Sequence, residues 1–387
     1  MELVLEILFW LSLAAVLYSY IGYPFLLLLC NCFVRRTASQ LDEQYRPTVS
    51  MVLAAYNEED CIAAKLDNCL ALDYPGEKLQ ILVGSDGSDD RTCEIAVAYE
   101  SRGVELHDFQ QRRGKMATVN RLVAEASGEI CVFSDISELY DHDAILKLVR
   151  HFADPSIGAV TGNHVYDAEK TGMGMGTRFY WKFQRFCQRM ESRLLTICMC
   201  DGTIYAVRRS SYPPPPDNTI NDDVAVPLGI IRGGRRVVFE SEAVARGKVL
   251  SQTQHFFRQK IRSQSGKYQN FFQFPRMLLP WHFRRFWIYI SHSVMPVLCA
   301  WFLILTLVTN TLLAFSSVPL LPLYQVLLIL QGIFYGLALL GFVANRFKWY
   351  LPGTAIPFYF VTANIGSLCG FFAYLFGAQS AAWRKVE

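Results

Sequence analysis

Charged residues are scarce in this 387-residue chain, where they make up 18% of the sequence against about 25% in a typical soluble domain. The scarcity is uneven, because residues 1–34 carry only Glu2 and Glu6 and residues 286–387 carry only five charged side chains. Residues 35–285 have the charge density of an ordinary soluble domain. This pattern excludes a disordered chain, a fibrous chain and a simple cytosolic enzyme. A formal net charge of +3 also gives no reason to expect a nucleic acid partner.

Cysteine pairs with metal-binding or disulfide spacing are also missing. The chain has 11 cysteines, an odd number, and the only close pairs are Cys30/Cys32 and Cys198/Cys200, with no histidine at zinc spacing. Free thiols in a reducing compartment are therefore expected, rather than a disulfide framework.

The uncharged run at 7–34 is long enough for a membrane-spanning helix. A signal peptide would have a basic start and a shorter apolar stretch, whereas this start is acidic. Arg35 and Arg36 follow the run directly, and basic residues mark the cytoplasmic end of a span. We therefore expect residues 1–34 to form an N-terminal transmembrane helix and the domain after it to be cytoplasmic.

A second membrane region is predicted at 287–387. The uncharged run at 287–345 suits two helices with a turn near Pro319 and Pro322, and 350–383 has room for a third. The segment at 267–286 mixes aromatic, leucine and basic residues, which is typical of an amphipathic segment in the lipid headgroup layer. An ordinary surface helix is the alternative interpretation of that segment.

Between these regions, short apolar runs alternate with helical segments. Strands are predicted at 48–56, 79–84, 103–108 and 130–135, and helices at 58–72, 93–102 and 115–126. Such alternation predicts a mostly parallel sheet, whose ligands bind outside the carboxyl ends of the strands. Three of the predicted strands end in polar clusters, at 56–58, 86–88 and 135–137, so we expect one polar pocket at that edge.

The ordered motifs resemble glycosyltransferase family 2, in its membrane-integrated branch that includes hyaluronan, chitin, cellulose and poly-N-acetylglucosamine synthases. The matching segments are AAYNEE (54–59), GSDGSDDRT (84–92), GKMATVN (114–120), VFSDIS (132–137), GAVTGNHVY (158–166), CDGTIYAVRRS (200–210), NDDVAVPL (221–228) and RQKIRSQSG (258–266). The resemblance implies an α/β fold: a GT-A nucleotide-diphospho-sugar transferase domain at 35–266, with a mixed, mostly parallel sheet, flanked by transmembrane α-helices.

By this resemblance, Tyr56, Glu58 and Asp86 surround the nucleobase and ribose of a nucleotide sugar donor. Lys115 follows Gly114 at a helix start, where a lysine and free backbone N–H groups suit a diphosphate. The alternatives are that Asp86 only caps the next helix and that Lys115 is solvated.

Asp135 matches the first acid of the family's DxD motif and is the predicted ligand of a divalent cation, Mg²⁺ or Mn²⁺. Ser137 stands where the family has the second acid. One carboxylate with diphosphate oxygens and waters can still hold such an ion. Glu138 is adjacent, but a neighbouring residue need not point the same way.

Asp223 is the predicted catalytic base, because NDD at 221–223 resembles the family motif whose last acid lies near the acceptor hydroxyl. The neighbouring carboxylate of Asp222 is expected to raise its proton affinity. The resemblance implies inversion at the anomeric carbon. The alternative is a structural role, in which Asn221 caps a helix and the two acids lie in its first turn.

Gln259 and Arg262 fit the QxxR part of the family's QxxRW motif, and the resemblance implies that this arginine binds the diphosphate. Ser263 stands in place of the motif's tryptophan, which in processive members helps to form the surface on which the acceptor stacks. Asp201 and Gly202 belong to a segment that resembles the loop near the acceptor terminus.

Three functions follow as hypotheses. The first is an inverting transferase that moves a sugar, UDP-linked in our expectation, onto a growing cell-surface polysaccharide. That the same protein also exports this polysaccharide is a weaker part of the hypothesis. The second is single addition to a lipid-linked acceptor, motivated by Ser263. The third is a weakly active scaffold or sensor subunit of a synthase complex, motivated by Ser137. The expected partners are the nucleotide sugar, the acceptor, membrane lipid and synthase or export subunits.

Overall fold

The computed structural model describes residues 1–33, 41–167, 172–248, 253–317, 320–347 and 349–378. The basic pair Arg35 and Arg36 and the expected turn residue Pro319 lie outside these ranges. So does the end of the third C-terminal run, from residue 379 onward.

An eight-stranded sheet forms the centre of the domain, in the order β3-β2-β1-β4-β7-β6-β8-β5. The strands are β1 (Val49–Ala55), β2 (Leu79–Asp86), β3 (Val104–Phe109), β4 (Ile130–Ser134), β5 (Leu139–Tyr140), β6 (Ile157–Asp167), β7 (Ile204–Arg208) and β8 (Arg236–Lys248). β7 pairs antiparallel with β4 and β6, β5 pairs antiparallel with β8, and the other pairings are parallel. The prediction of a mixed, mostly parallel sheet is confirmed.

Helices cover both faces of this sheet, which explains why β1 is apolar and buried along its whole length. They are α3 (Ile62–Leu70), α4 (Thr92–Val97), α5 (Lys115–Glu125), α6 (Ala144–Val149), α7 (Gly172–Leu194), α8 (Asp222–Arg232) and α9 (Thr253–Gln273). One face packs α3 and α6 against alternate residues such as Met51 and Leu53, and the other packs α5 and α8 against Val52 and Ala54.

Predicted element positions agree with the structure except near the strand ends. The helix expected at 58–72 is shorter, because Asn57 has a φ of +54° and the chain turns before Ile62. The helix expected at 93–102 is α4 followed by a 3₁₀ turn at Glu100–Arg102. α9 runs without a break through the boundary expected between residues 266 and 267.

Among the described residues, four helical stretches are long and apolar enough to cross a membrane: Glu2–Phe33, Pro280–Ala314, Leu321–Arg346 and Ala355–Leu375. The first comprises α1 (Glu2–Leu17), a π-helical segment (Tyr18–Gly22) and α2 (Tyr23–Phe33). The second contains α10 (Phe283–Ile288), a π-helical segment (Tyr289–Val294) and α11 (Met295–Ala314), and the last two are α12 and α13. One stretch thus precedes the sheet and three follow it.

Polar groups pair where these helices meet. Asn310 of α11 and Gln331 of α12 share an amide hydrogen bond of 2.8 Å. His292, in the second π-helical segment, contacts Gln184 and lies 2.6 Å from the fully buried carboxylate of Glu191 on α7. The membrane helices are therefore joined to the sheet domain through α7.

Candidate active site

The carboxyl ends of β1, β2 and β4 lie side by side, as their registers require: Ala55 pairs with Ser85, and Leu53 pairs with Ser134. β7 is antiparallel to β4, so its first residue, Ile204, lies opposite Ser134. The segment before β7 therefore reaches the same edge. This topology brings the three polar clusters and the 200–203 loop to one side of the sheet, as the sequence predicts for the clusters.

Asp86 is buried and holds the loop that leads into α5. Its two carboxylate oxygens accept hydrogen bonds from the backbone N–H groups of Arg113 and Gly114, each at 2.8 Å. Gly114 has a φ of +99°, which a side chain would disfavour. Asp86 therefore fixes the N-terminus of α5, not that of α4, which is the next helix after β2.

Tyr56 and Glu58 lie on the loop after β1, which is tied to the loop after β2. The guanidinium of Arg112 lies 3.6 Å from the centroid of the Tyr56 ring, a cation–π stack. The backbone N–H of Glu58 donates to the hydroxyl of Thr92 at 2.8 Å. These contacts make a half-buried aromatic and acidic rim beside Asp86.

Lys115 links two carboxylates that come from different elements of the fold. Its amine lies 2.8 Å from Asp135 Oδ1, after β4, and 3.8 Å from Asp222 Oδ2, at the start of α8. Burial acts to lower the pKa of Lys115, but the two carboxylates raise it above its ordinary value. Lys115 is therefore a fixed cation inside the pocket, and the alternative of a solvated lysine does not describe it.

Asp223 lies beside the loop that contains Asp201 and Gly202. The backbone carbonyl of Asp223 accepts a 2.8 Å hydrogen bond from the N–H of Cys200, and a Cβ on Gly202 would lie 3.5 Å from the Asp223 Cβ. Asp201 Oδ1 accepts a hydrogen bond from the hydroxyl of Thr203 at 2.6 Å, and this bond shapes the loop. These predicted site residues are thus brought together.

The pKa of Asp223 is raised to about 7, first by burial and then by the neighbouring carboxylate of Asp222. Lys115 and Lys267 act in the opposite direction. The carboxylate of Asp222 also accepts a 3.1 Å hydrogen bond from the hydroxyl of buried Tyr205, and this bond holds Asp222 in place. The arrangement gives Asp223 a proton affinity suited to exchange near neutral pH.

α9 closes the pocket from the membrane side. Asn221 makes no side-chain cap on α8, and its amide donates instead to the backbone carbonyl of Ser263 at 2.8 Å. A Cβ on Gly266 would lie 2.5 Å from the Asn221 side chain, so α9 approaches at a distance that only glycine allows. Arg262 is half-buried and acts electrostatically on Lys115, whereas Gln259 is exposed.

Sequence reasoning missed a buried polar group beneath Asp135. His164 Nε2 lies 2.6 Å from Glu138 Oε2, and its Nδ1 lies 4.0 Å from Asp201 Oδ1. The fully buried amine of Lys65 donates to Ser134 Oγ and to the Glu138 carbonyl, each at 2.6 Å. His164 occurs within the motif at 158–166, but Lys65 has no sequence signal because it lies within an apolar helix.

These contacts decide what could hold a metal ion. Glu138 turns inward to His164, so it does not replace the missing second acid. Among the residues that the structure describes, no group of three His, Cys, Asp or Glu side chains is arranged for a metal. Asp135 is about one-third exposed and offers one oxygen ligand of the hard kind that Mg²⁺ and Mn²⁺ prefer. The donor set therefore suits an ion that brings its other ligands with it, as a nucleotide diphosphate does.

Comparison with known proteins agrees with this geometry. Residues 50–213 match glycosyl transferase family 2. Poly-beta-1,6-N-acetyl-D-glucosamine synthase of Staphylococcus aureus is 27% identical over 227 residues, which are 57% of this chain and 55% of that protein. The synthase of the same name from Staphylococcus epidermidis is 33% identical over 133 residues, 34% of this chain and 32% of that protein. The chain thus matches about half the length of the Staphylococcus aureus protein and about a third of the Staphylococcus epidermidis protein.

One solved structure resembles nearly the whole chain. A mannosyltransferase from Pyrobaculum calidifontis has a TM-score of 0.75 and 21% sequence identity, with 97% of this chain and 100% of that chain covered. At this identity the likeness concerns the fold. Residues 50–213 thus match glycosyl transferase family 2, and the chain has the GT-A fold, joined among its described residues to four helices long and apolar enough to cross a membrane.

Proposed function

We propose that this protein transfers a sugar from a nucleotide sugar, UDP-linked in our expectation, to an acceptor at the cytoplasmic face of a membrane, with inversion at the anomeric carbon. The observation that carries the proposal is the position of Asp223, a half-buried carboxylate of raised pKa that lies against Gly202 and on which the cation Lys115 acts electrostatically. A base, an acceptor loop and a fixed positive charge in one pocket are what glycosyl transfer requires.

In this proposal the donor lies along the ends of β1, β2 and β4. Tyr56 and Glu58 bind the nucleobase and ribose, while Asp86 keeps the Lys115 loop in place through its two backbone hydrogen bonds. Lys115 and Arg262 neutralise the diphosphate, because a lysine and an arginine on facing elements can share its oxygens.

Asp135 would provide the protein ligand of a divalent cation, Mg²⁺ or Mn²⁺. Such an ion, when bound, would stabilise negative charge on the departing diphosphate. The Pyrobaculum calidifontis mannosyltransferase was solved with GDP-mannose and Mn²⁺, which supports a cation of this kind. If Asp135 held such an ion, its partner Lys115 would be available to the phosphates while staying near Asp222.

Asp223 would accept the proton of the acceptor hydroxyl as that oxygen attacks the anomeric carbon. Asp222 lies beside it, held by the hydroxyl of Tyr205 and close to Lys115. Attack from the side opposite the diphosphate produces a β-linkage from an α-linked donor.

For the acceptor, the curated relatives favour a growing polysaccharide, because their names describe synthases of poly-beta-1,6-N-acetyl-D-glucosamine. A lipid-linked acceptor is the second candidate, and it is favoured by the two lysines Lys260 and Lys267 on α9. Arg35 and Arg36 after the first apolar stretch support the cytoplasmic location of the domain.

The test is a donor screen on the full chain in lipid nanodiscs, with membrane lipid extract as the source of acceptor. UDP-N-acetylglucosamine, UDP-glucose, UDP-glucuronic acid and GDP-mannose are each supplied with Mg²⁺, Mn²⁺ or EDTA, and released nucleotide and product size are measured. We expect metal-dependent release from one donor and its loss in Asp223→Asn. A long product supports polymer synthesis, and a one-sugar lipid supports single addition. Equal turnover by Asp223→Asn would refute the assignment of the base.

A further inference from the structure

One face of α9 carries Lys260, Gln264 and Lys267, which follow each other at helical spacing. Lys260 and Lys267 are two turns apart, about 10 Å along the axis. Lys267 acts electrostatically on Asp223, so this face leads from the membrane helices to the proposed base. Neither lysine has a role in the donor site described above.

The face is covered by α13, one of the four stretches that could cross a membrane. A Cβ on Gly366 would lie 2.9 Å from Lys260 Cγ, and one on Gly370 would lie 2.6 Å from Gln264 Cβ. Two glycines four residues apart thus let α13 pack directly on α9. α7 completes the enclosure, since the Lys260 amine lies 4.9 Å from the centroid of the Tyr180 ring.

Within the part of the chain that the structure describes, several buried polar atoms on α9 and α7 have no hydrogen-bond partner. Gln264, Ser265 and Asn270 are at most 4% exposed, and the side-chain oxygen of each is unpaired, as is the amide nitrogen of Asn270. The buried hydroxyl of Thr177 on α7 is also unpaired. Unsatisfied buried polar groups are costly, and Gln264 lies between Lys260 and Lys267 on the same face of α9, so its unpaired oxygen indicates a place that a polar ligand fills.

The charge of the enclosure defines the class of ligand. Burial and the neighbouring Lys267 lower the pKa of Lys260 to about 7, whereas a nearby carboxylate would raise it. Burial also lowers the pKa of Lys267, and Asp223 only partly opposes this effect. Two amines that repel each other, one buried and one half-buried, favour an anion between them, and the apolar helix α13 forms the adjacent wall.

We propose that Lys260 and Lys267 form a subsite for the phosphate of a lipid-linked acceptor, whose lipid chain runs along α13 and whose sugar end reaches Asp223. The proposal deepens the proposed function and rests on it for the transfer step. It applies whether the acceptor carries one sugar or a growing polymer.

The experiment measures binding of a C55 polyprenyl phosphate and of the matching C55 alcohol to the full chain in phosphatidylcholine nanodiscs. We expect tighter binding of the phosphate, and a loss of at least tenfold in its affinity in Lys260→Met and in Lys267→Met. Affinity for the alcohol should stay the same. Arg258→Met is the matched control, because Arg258 is an exposed cation on the same helix.

Two competitors distinguish the sources of phosphate. If phosphatidylglycerol displaces the bound polyprenyl phosphate as effectively as free polyprenyl phosphate does, the site is a general headgroup site and the assignment is overturned. If inorganic phosphate displaces it equally well, the site binds free anions and the assignment is likewise overturned. Binding by Lys260→Met equal to that of the unaltered chain would also overturn it. UDP and GDP binding, measured on the same samples, reports on the donor site. A chain that selects the lipid phosphate but binds and turns over no nucleotide sugar would refute the proposed function and leave the subsite standing.

Discussion

The pH dependence of sugar transfer tests the role of Asp223 directly. A general base must be ionised, and the pKa of Asp223 is raised to about 7 by burial and by Asp222. The ionised fraction is then about one-tenth at pH 6, one-half at pH 7 and nine-tenths at pH 8. We therefore expect kcat/KM for the donor to rise roughly tenfold between pH 6 and pH 8.

Two variants should move the rising limb of this pH–rate profile, that is, the increase in kcat/KM between pH 6 and pH 8, in opposite directions. Asp222→Asn removes the negative charge that raises the pKa of Asp223, so the limb should move to lower pH. Lys267→Met removes a positive charge that lowers this pKa, so the limb should move to higher pH. The midpoint is independent of any change in maximal rate, which separates an effect on the base from a loss of binding.

The assay is nucleotide release from the donor identified by the screen, followed from pH 5.5 to pH 9 in a constant-ionic-strength buffer. Asp223→Asn should lower the rate by about 10²–10⁴-fold and remove the limb. An unshifted midpoint in both neighbouring variants would refute the electrostatic reasoning. A pH limb that persists in Asp223→Asn would refute Asp223 as the base.

Substitutions at four further positions probe separate parts of the molecule. Lys115→Met should lower kcat/KM by about 10²–10³-fold by removing a charge that faces the diphosphate, while Lys115→Arg retains more activity; steady-state kinetics measures both. Gly202→Ala should fold normally, since its new Cβ meets atoms only at 3.5 Å and beyond, but it should slow transfer more than donor binding, as kinetics and nucleotide titration would reveal. Ser137→Asp should lower the Mn²⁺ concentration needed for half-maximal activity, because it restores a second carboxylate. His292→Ala removes the imidazole nitrogen that lies 2.6 Å from the buried Glu191 carboxylate, so it should cost about 1–3 kcal/mol and lower the unfolding temperature in detergent.

The pocket could be predicted from sequence because its residues follow strands whose order is simple. In a parallel sheet the carboxyl ends of neighbouring strands meet, so Tyr56, Asp86 and Asp135 had to share one edge once their strands were recognised. Asp201 and Gly202 join them because β7 runs in the opposite direction and begins where β4 ends. Local patterns and topology were sufficient for this part.

Side-chain directions after the strands could not be predicted in the same way. Glu138 turns inward only because His164, 26 positions later, provides a partner on β6. Gln259 and Arg262 share a sequence motif, but Gln259 is exposed, because the packing of α9 against α13 decides which face turns inward. Both outcomes depend on contacts between distant segments, which periodicity alone does not encode.

The replacement of the motif tryptophan by Ser263 has a narrower consequence than its position suggests. Asn221, which precedes the two acids, is held by the backbone carbonyl of Ser263 rather than by its side chain. Any residue at this position can provide that carbonyl, so the serine leaves the support of Asp223 intact and removes only an aromatic surface. α9 therefore positions the base through its backbone and faces the membrane helix through Lys260 and Gln264. Under the proposed function, we therefore expect a change at residue 263 to alter how the acceptor is held, and with it product length, and to leave the action of Asp223 as the proposed base unchanged.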